Sequence, residues 1–501
     1  MLTSLFVLLF IGCIGCFAGV KSMPVIVPST TAVAPRVKDV PRRRFRRFIP
    51  RRPLLRLRSA SFWARSVQIY SSYKYRQLRS RFSRRPQDLN ATHEINSDRM
   101  MELCLNLRGF YLKSGQFLAS RRDFMPQTYT RKLAKLHDDV PPLPAETVKI
   151  ILERELGGHL DNFFTSIDLT KPIGAASIAQ VHKAVWRKTG EKVAVKVQYP
   201  GADNLMRGDL ANLNRLARFL RTTELKIDLL SAIKELQKQI KNEFDFIGEA
   251  RNMDTIREKL LSRVPEVKLP RSIFATKTVL VMTFVEGDNL SKLAEYKSIS
   301  SLGSNNFTKK VIGKRLLDVL AKAWGTMIFE LREFNGDPHP GNICLPLFSL
   351  TSFNPFAAAK IGLLDWGQVK VVSPQLALDF SNLVLALQSR EEDRIASTLF
   401  QIGVRVSNPA DTKSIKALAL TMLDTGRSQY NADPFDPNNS LKSQTVTKLP
   451  SDLYFLVRTV QLMRGIAFAF DLDYSLADKW APYAKEVIKS SPTGPMPSST
   501  Q

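Results

Sequence analysis

Two short stretches constrain this 501-residue chain more than anything else in it. In Asp337-Pro338-His339-Pro340-Gly341-Asn342 a carboxylate and an amide stand five positions apart, in a loop stiffened by two prolines. Twenty-three residues after Asn342, Asp365-Trp366-Gly367 ends an apolar run, Ile361 to Leu364, that reads as a strand. Moving a phosphoryl group needs hard oxygen ligands for Mg²⁺, which Asn342 and Asp365 offer, because this ion prefers oxygen donors in near-octahedral geometry. It also needs a carboxylate beside the acceptor hydroxyl or water, and Asp337 is the candidate. A fold with that chemistry would have to bring Asp337, Asn342 and Asp365 together.

Composition permits such a fold. Hydrophobic residues make up 44% and charged residues 24%, which excludes a wholly disordered chain, a collagen-like fibre and a polytopic membrane protein. Cys13 and Cys16 lie in a leader-like segment, and Cys104 and Cys344 alone cannot make a disulfide scaffold. Five histidines and no CxxC in the body argue against structural zinc. The net charge of +27 is mostly local, since 18 Lys/Arg against the single acid Asp39 fall between Arg36 and Arg85. A tract of that kind is not a folded groove, so nucleic acid is not an expected partner.

The first residues read as an address. Leu2 to Val20 is apolar with small residues at its far end, the pattern of a secretory signal peptide or an anchor over 1–20. Residues 21–86 are Arg-rich, Ser-containing and nearly free of acids, as in a disordered transit peptide. A signal peptide followed by a transit peptide resembles the two-part leader of algal plastids with extra membranes, with Phe17 as its opening aromatic. Mitochondrial import and endomembrane retention are the alternatives. Within this region Trp63 to Phe82 mixes aromatics and arginines in the manner of an interfacial amphipathic helix, which would give peripheral membrane contact.

Apolar spacing predicts a helix over Met100 to Leu118, running into Lys113-Ser114-Gly115-Gln116. Shorter helices follow at Thr128 to Leu136 and Thr147 to Leu156, the latter closed by Gly157-Gly158. Strands are expected at Val181 to Trp186 and Lys192 to Gln198, joined by a hairpin loop at Lys188 to Glu191. A long helical region from Ala202 to Leu261 leads to a buried strand in Thr278 to Gly287, and beyond Lys309 the pattern is mainly helical. Pro346 to Ala358 reads as an insertion. The expected organisation is a helical preface over 90–160, a β-rich unit over 161–287, a helical unit over 288–489 and a disordered tail over 490–501. That order predicts a two-lobed α+β domain with a cleft at the turn between lobes.

Val193-Ala194-Val195-Lys196 resembles the kinase strand whose Lys holds the α- and β-phosphates, and Asp337, Asn342 and Asp365-Trp366-Gly367 resemble a kinase catalytic loop and its Asp-Phe-Gly. Such a Lys needs an ion-pair partner on a helix, and Glu249, 53 residues on, is the candidate. Val-Ala-Val-Lys alone is more often plain strand; the elements in this order carry the reading. Phe284, Val285 and Glu286 stand at the lobe junction, where backbone groups would bond adenine. In place of a glycine-rich loop the chain has Gly174 followed by Ala175, Ala176, Ser177 and Ile178, whose methyl groups restrict the backbone. No Ala-Pro-Glu follows Asp365, and Asn335 and Gly336 occupy the His and Arg positions of the catalytic triplet.

These departures, the KxGQ at Lys113 to Gln116, the alanine loop and an ExD pair, Glu243 and Asp245, together resemble the UbiB family of atypical kinases, the aarF-domain or ADCK type. The match runs from about Arg99 to Val372, with Asn335-Gly336 where the family more often has His-x and Trp366 where it has Phe. The resemblance implies a two-lobed, protein-kinase-like α+β fold with a helical N-terminal KxGQ extension over the cleft. Lys113 and Gln116 would then project toward Glu243 and Asp245. It implies ATP or ADP and Mg as cofactors, Lys196 on the phosphates, Glu249 orienting Lys196, and Asp337 as acid/base or positioning carboxylate. It further implies a role in prenyl-quinone or related lipid biosynthesis or homeostasis, with components of that pathway as partners. A catalytically weak pseudokinase scaffold binding nucleotide or lipid is the alternative; the alanine loop favours it and the intact Lys196, Asp337, Asn342 and Asp365 oppose it. His182 and His339 read as structural.

Overall fold

The fold is taken from a computed structural model and is described for residues 52–82, 90–120, 126–133, 136, 142–175, 178–223, 237, 243–290, 306–338, 340–345, 360–426 and 446–491. The apolar leader with Phe17, the basic tract up to residue 51, the insertion Pro346 to Ala358, residues Ala176, Ser177 and His339, and the tail beyond 491 lie outside the described residues. The chain forms two compact units, Met1–Phe244 with Thr276–Val281, and Asp245–Ala275 with Met282–Gln501. The expected boundary at Gly287 therefore shifts, and the helix after Asp245 joins the second unit.

The first unit holds six described helices: α1 (Arg52–Phe82), α2 (Asn90–Leu107), α3 (Phe110–Ser120), α4 (Gln127–Leu133), α5 (Ala145–Leu156) and α6 (Ala202–Thr223). The helix expected over Met100 to Leu118 is two helices, because Arg108 and Gly109 both take left-handed backbone, each at φ +53. Left-handed residues break the i→i−4 ladder, while apolar spacing continues across the break and conceals it.

A larger correction concerns the segment expected to be disordered. Within 21–86, Arg52–Phe82 is one helix whose Phe62, Ser66, Ile69 and Tyr73 share a buried face at helical spacing. Phe62, Ile69 and Tyr73 pack with Leu103, Leu107, Tyr111 and Leu133 in one core, and the Phe62 ring stacks on Tyr111 at 4.9 Å. Each such side chain contributes roughly 1.5–3 kcal/mol on burial. Arg58 of α1 reaches Asp209 of α6, Nη2 to Oδ2 at 2.6 Å and Nε to Oδ1 at 2.8 Å. Trp63 and Tyr70 also pack against this core. Of the aromatics in the stretch expected to form an interfacial helix, Trp63, Tyr70 and Tyr73 pack on this core while Tyr75 stays exposed.

The sheet of the first unit is built on β1 (Phe164–Ile167), β2 (Gly174–Ala175), β3 (Ala179–Trp186) and β4 (Lys192–Gln198), with β7 (Val279–Thr283) beside β4 and β2 paired to β3. Val193, Val195 and Val197 are wholly buried, as their alternation predicts, and the β3–β4 turn closes through Gly190 at φ +71. His182 is structural: Nδ1 lies 2.7 Å from the Asp168 carbonyl and Nε2 2.7 Å from the Gln180 amide nitrogen.

In the second unit α7 (Phe246–Leu261) is not a continuation of α6. Asp245 starts it anew as N-cap, Oδ1 accepting from the Gly248 N–H at 3.0 Å. Strands β5 (Val267–Lys268), β8 (Asp288–Asn289), β10 (Ile343–Leu345) and β11 (Ile361–Leu363) form a small sheet in the order β5-β11-β10-β8. β6 (Ser272–Ala275) follows β5, and the Arg271 carbonyl before it accepts from the Thr283 N–H at 2.9 Å. α8 (Asn306–Gly325) passes into a π-helical turn, Thr326–Leu331, that ends at left-handed Arg332, φ +55, and feeds β9 (Glu333–Asn335). β9 pairs with β12 (Val369–Val371). Helices α9 (Pro374–Ser389), α10 (Glu392–Ile402), α11 (Thr412–Leu423), α12 (Ser451–Ala469) and α13 (Leu476–Lys489) complete the unit, with the short pair β13 (Arg405–Val406) and β14 (Val446–Lys448). Phe329, Phe380 and Trp480 meet at ring distances of 5.7–6.1 Å and fix the π turn from which β9 departs.

Candidate active site

In the second unit one buried side chain joins the two motif stretches. Asn335 Oδ1 accepts from the Asp337 N–H at 2.9 Å, and its Nδ2 donates to the Asp365 carbonyl at 2.7 Å. Trp324 of α8 donates from Nε1 to the Asn335 carbonyl at 3.1 Å, and the Gly336 N–H reaches the Gln368 carbonyl at 2.8 Å. The proline loop is thereby tied to the strand end from both sides. Asn342 closes a single 3-10 turn; its carbonyl accepts from the Leu364 N–H at 2.9 Å and its Nδ2 lies 3.5 Å from the Asp337 carbonyl. Asp365 Oδ1 accepts from the Gly367 N–H at 2.9 Å. Trp366 is fully buried, with Nε1 donating to the Leu363 carbonyl at 3.3 Å.

Glu249, in the first turn of α7, is buried against this loop: a Cβ placed on Gly367 would lie 3.8 Å from its Oε2. Asn252, one turn on, donates to the Trp366 carbonyl at 3.3 Å. The second unit therefore brings together Asp337, Asn342, Asp365 and Glu249.

Two residues outside the sequence candidates complete the surroundings of Asp337. Arg458 of α12 puts Nη2 2.5 Å from Asp337 Oδ1, with side chains 32% and 19% exposed. Asn335 carried a local signal, since it stands at the His position of the kinase triplet. Arg458 carried none, being 121 residues from its partner. On the other side of the loop, Lys370 Nζ sits 3.9 Å above the Phe455 ring. A Cβ at Gly336 would meet Lys370 Cγ at 2.8 Å and Phe455 Cδ1 at 3.2 Å.

Phe284, Val285 and Glu286 follow β7 and are backed by β10 and β11. Gly287 takes φ +140, and a Cβ there would fall 2.4 Å from the Leu345 carbonyl oxygen. A Cβ at Gly362 would fall 2.6 Å from Val285 Cγ1. Burial, and next the Asp288 charge, push the neighbouring Cys344 thiol up to about 11, so it stays protonated at neutral pH.

The remaining candidates belong to the first unit. Lys196 is half-buried on β4 opposite Val181. Ala175 pairs with Gln180, and the buried Ile178 accepts at its carbonyl from the Tyr199 N–H at 2.8 Å. Lys113 and Gln116 lie on α3, their side chains outside the described ones. Gly115 between them is required by packing, since a Cβ would meet Leu136 Cδ1 at 2.4 Å and Cys104 Sγ at 2.9 Å. Glu243 is half-buried near the end of this unit, while Asp245 caps α7 in the other.

Among the described residues no three His, Cys, Asp or Glu side chains gather as a metal site. The donor set of Asn342 and Asp365 nevertheless fits magnesium, because an amide and a carboxylate oxygen leave the other positions to phosphate and water.

Residues 135–399 match the family described as the ABC1 atypical kinase-like domain, a span that begins after the KSGQ turn of α3. AarF domain-containing protein kinase 1 of Xenopus laevis is 29% identical over 389 residues, 75% of this chain and 71% of that one. An uncharacterized Clostridium pasteurianum protein from the hydrogenase 1 5′ region is 29% identical over 392 residues, 75% of this chain and 68% of that one. The chloroplastic ACTIVITY OF BC1 COMPLEX KINASE 8 of Arabidopsis thaliana is 26% identical over 436 residues, 79% of this chain and 54% of that one. Among solved structures, the Rv3197–erythromycin complex of Mycobacterium tuberculosis superimposes with a TM-score of 0.53 at 22% identity, covering 79% of this chain and 96% of that one. That likeness is one of fold, kinase-like and α+β.

Proposed function

The chain belongs to the ABC1 atypical kinase-like family, and on that premise we propose that it is an ATP-binding, magnesium-dependent atypical kinase or ATPase. We assign it to prenyl-quinone or related lipid biosynthesis or homeostasis in a plastid; chloroplastic relatives from Arabidopsis thaliana support the compartment.

The observation that carries the reading is the Asn335 bridge, which sets the Asp337 backbone and the Asp365 backbone in one hydrogen-bonded frame. In this reading Asn342 and Asp365 hold magnesium, whose charge, when bound, offsets that of the triphosphate. Asp337 orients the acceptor hydroxyl or water and takes its proton at a carboxylate oxygen. Lys196 binds phosphate and Glu249 orients Lys196. Phe284, Val285 and Glu286 hold adenine through their backbone, and Ala175 through Ile178 cover the phosphates. Lys113 and Gln116 work with Glu243 and Asp245 over the cleft, which favours a lipid or other small acceptor over a peptide.

Steady-state ATP turnover by the full chain tests this. Asp365→Asn should lower turnover roughly a hundredfold or more. Mg-ATP binding and hydrolysis equal to the parent's would overturn the mechanism. The alanine loop at Ala175 to Ile178 favours a second reading, a nucleotide-binding scaffold without turnover. Full rescue of a null strain by Asp337→Asn would select it, and quinone profiling of that strain reports the pathway.

A further inference from the structure

The helix α1 is apolar on two faces. Its inner face, Phe62, Ile69 and Tyr73, is sealed in the core of the first unit. On the opposite side Leu57, Ala64, Val67, Ser71, Tyr75 and Leu78 recur at helical spacing in one row, with nothing acidic among them. Leu57 is 67% exposed, Tyr75 63%, Leu78 55% and Val67 40%. Arg56 and Lys74 border this row on one side and Arg79 on the other, at the positions that helical geometry places beside it.

Charge says what covers the row. In Arg52–Phe82 there are eight Lys/Arg and no Asp or Glu. Arg58 and Arg65 turn to carboxylates of the protein itself, Asp209 at 2.6 Å and Glu102 at 2.8 Å. Arg56 and Arg79 border the exposed row, as does Lys74 with its Nζ 5.5 Å from the centre of the Tyr70 ring, and the sequence before the helix continues the same sign from Arg36. A second copy of this face would set cations against cations. A nucleic acid would satisfy the cations but gain nothing from Leu57, Val67 and Leu78. An apolar row inserted at headgroup depth between cations on anionic headgroups satisfies both kinds of side chain. We propose that the outward face of α1, centred on Val67 and Tyr75, docks on an anionic lipid bilayer surface. The helix lies in the interface plane with the first unit folded behind it. The docking face excludes Trp63, Tyr70 and Tyr73, which pack on the protein core. It is independent of the chemistry assigned to the second unit.

The test uses the full chain carrying a benzophenone amino acid at Val67 or Tyr75, with a control at the exposed Lys188 of the β3–β4 turn. Each protein is irradiated with vesicles of phosphatidylcholine alone or of phosphatidylcholine with an equal share of phosphatidylglycerol. A local probe reads this helix alone, whatever the apolar leader does. Lipid adducts at 67 and 75 should exceed those at 188 by about tenfold, require phosphatidylglycerol and fall as salt is raised. With the probe at 67, Arg56→Glu, Lys74→Glu and Arg79→Glu together should abolish the excess while thermal unfolding stays that of the parent. Adducts no greater than at 188, equal yields on neutral vesicles, or adducts to a second protein chain would each overturn the proposal.

Discussion

Arg458 Nη2 lies 2.5 Å from Asp337 Oδ1, so a guanidinium from a helix 121 residues downstream holds the carboxylate assigned to the phosphoryl acceptor. Charge-assisted bonds of this kind are short and directional, and misplacing a reacting group by an ångström costs about a hundredfold in rate. Arg458→Met should therefore lower ATP turnover by roughly 10- to 100-fold while nucleotide affinity stays within about twofold. Arg458→Lys should recover only part, because an ammonium lacks the planar fork. Turnover and equilibrium nucleotide binding on the same preparations measure both; a methionine variant with parental turnover removes Arg458 from the site.

Gly287 is the position where the segment Phe284 to Glu286 cannot tolerate a side chain. Its φ of +140 is closed to L-residues, and a Cβ would sit 2.4 Å from the backbone oxygen of Leu345, which has no rotamer by which to yield. Gly287→Ala should cost about 2–4 kcal/mol and move β8 off β10. Denaturant unfolding gives the stability. Nucleotide affinity should fall with it if the adenine assignment holds, and an alanine variant of parental stability would refute the steric account.

The buried pair of Arg58 and Asp209 makes α1 a part of the folded unit. Burial pushes the Asp209 carboxyl up and Arg58 pulls it back. Arg58→Met leaves a carboxylate 2% exposed without its cation, which should cost about 3–5 kcal/mol. Arg58→Met with Asp209→Leu should regain most of that, since replacing both members of a buried pair is often close to neutral. Urea unfolding of the two single variants and the double variant decides it. Additive losses would mean the pair is not coupled.

What the sequence revealed followed how local each signal is. That Asp337, Asn342 and Asp365 would meet was legible because they lie in two short motifs, and the burial of Val193, Val195 and Val197 because strand alternation is a nearest-neighbour pattern. The break at Arg108 and Gly109 was not, since left-handed backbone leaves the apolar spacing intact. Residues Phe62, Ser66, Ile69 and Tyr73 carried a helical face all along, but the arginines around them gave the composition of a cleaved leader. Asp245 three positions before Gly248 is an N-cap signal that a continuous apolar pattern from Ala202 hid. Arg458 was beyond reach, because a contact across 121 residues exists only once α12 has brought Phe455 under Lys370 and Arg458 to Asp337.

His182 gives the first unit a pH dependence of known sign. Its Nδ1 sits 2.7 Å from the Asp168 carbonyl, which can only accept, so Nδ1 carries the proton and Nε2 accepts from the Gln180 amide at 2.7 Å. Gln180 is fixed in that orientation because its Oε1 accepts from the Leu143 N–H at 2.7 Å. A second proton on His182 would point at an NH₂ group. Burial holds the imidazole below its ordinary value, and the bond and charge of Asp168 offset this only in part. A depressed histidine contributes stability that is present above its unfolded value, about 6.5, and is lost as pH falls through the folded one. Unfolding midpoints of the parent should therefore drop as pH is lowered from 7.5 to 5, by roughly the differential proton uptake of one group. Gln180→Glu keeps an acceptor for Leu143 and puts a carboxylate on Nε2, so the protonated ring becomes the favoured form and this limb should reverse. A parental limb retained in Gln180→Glu would assign the pH dependence to groups other than His182.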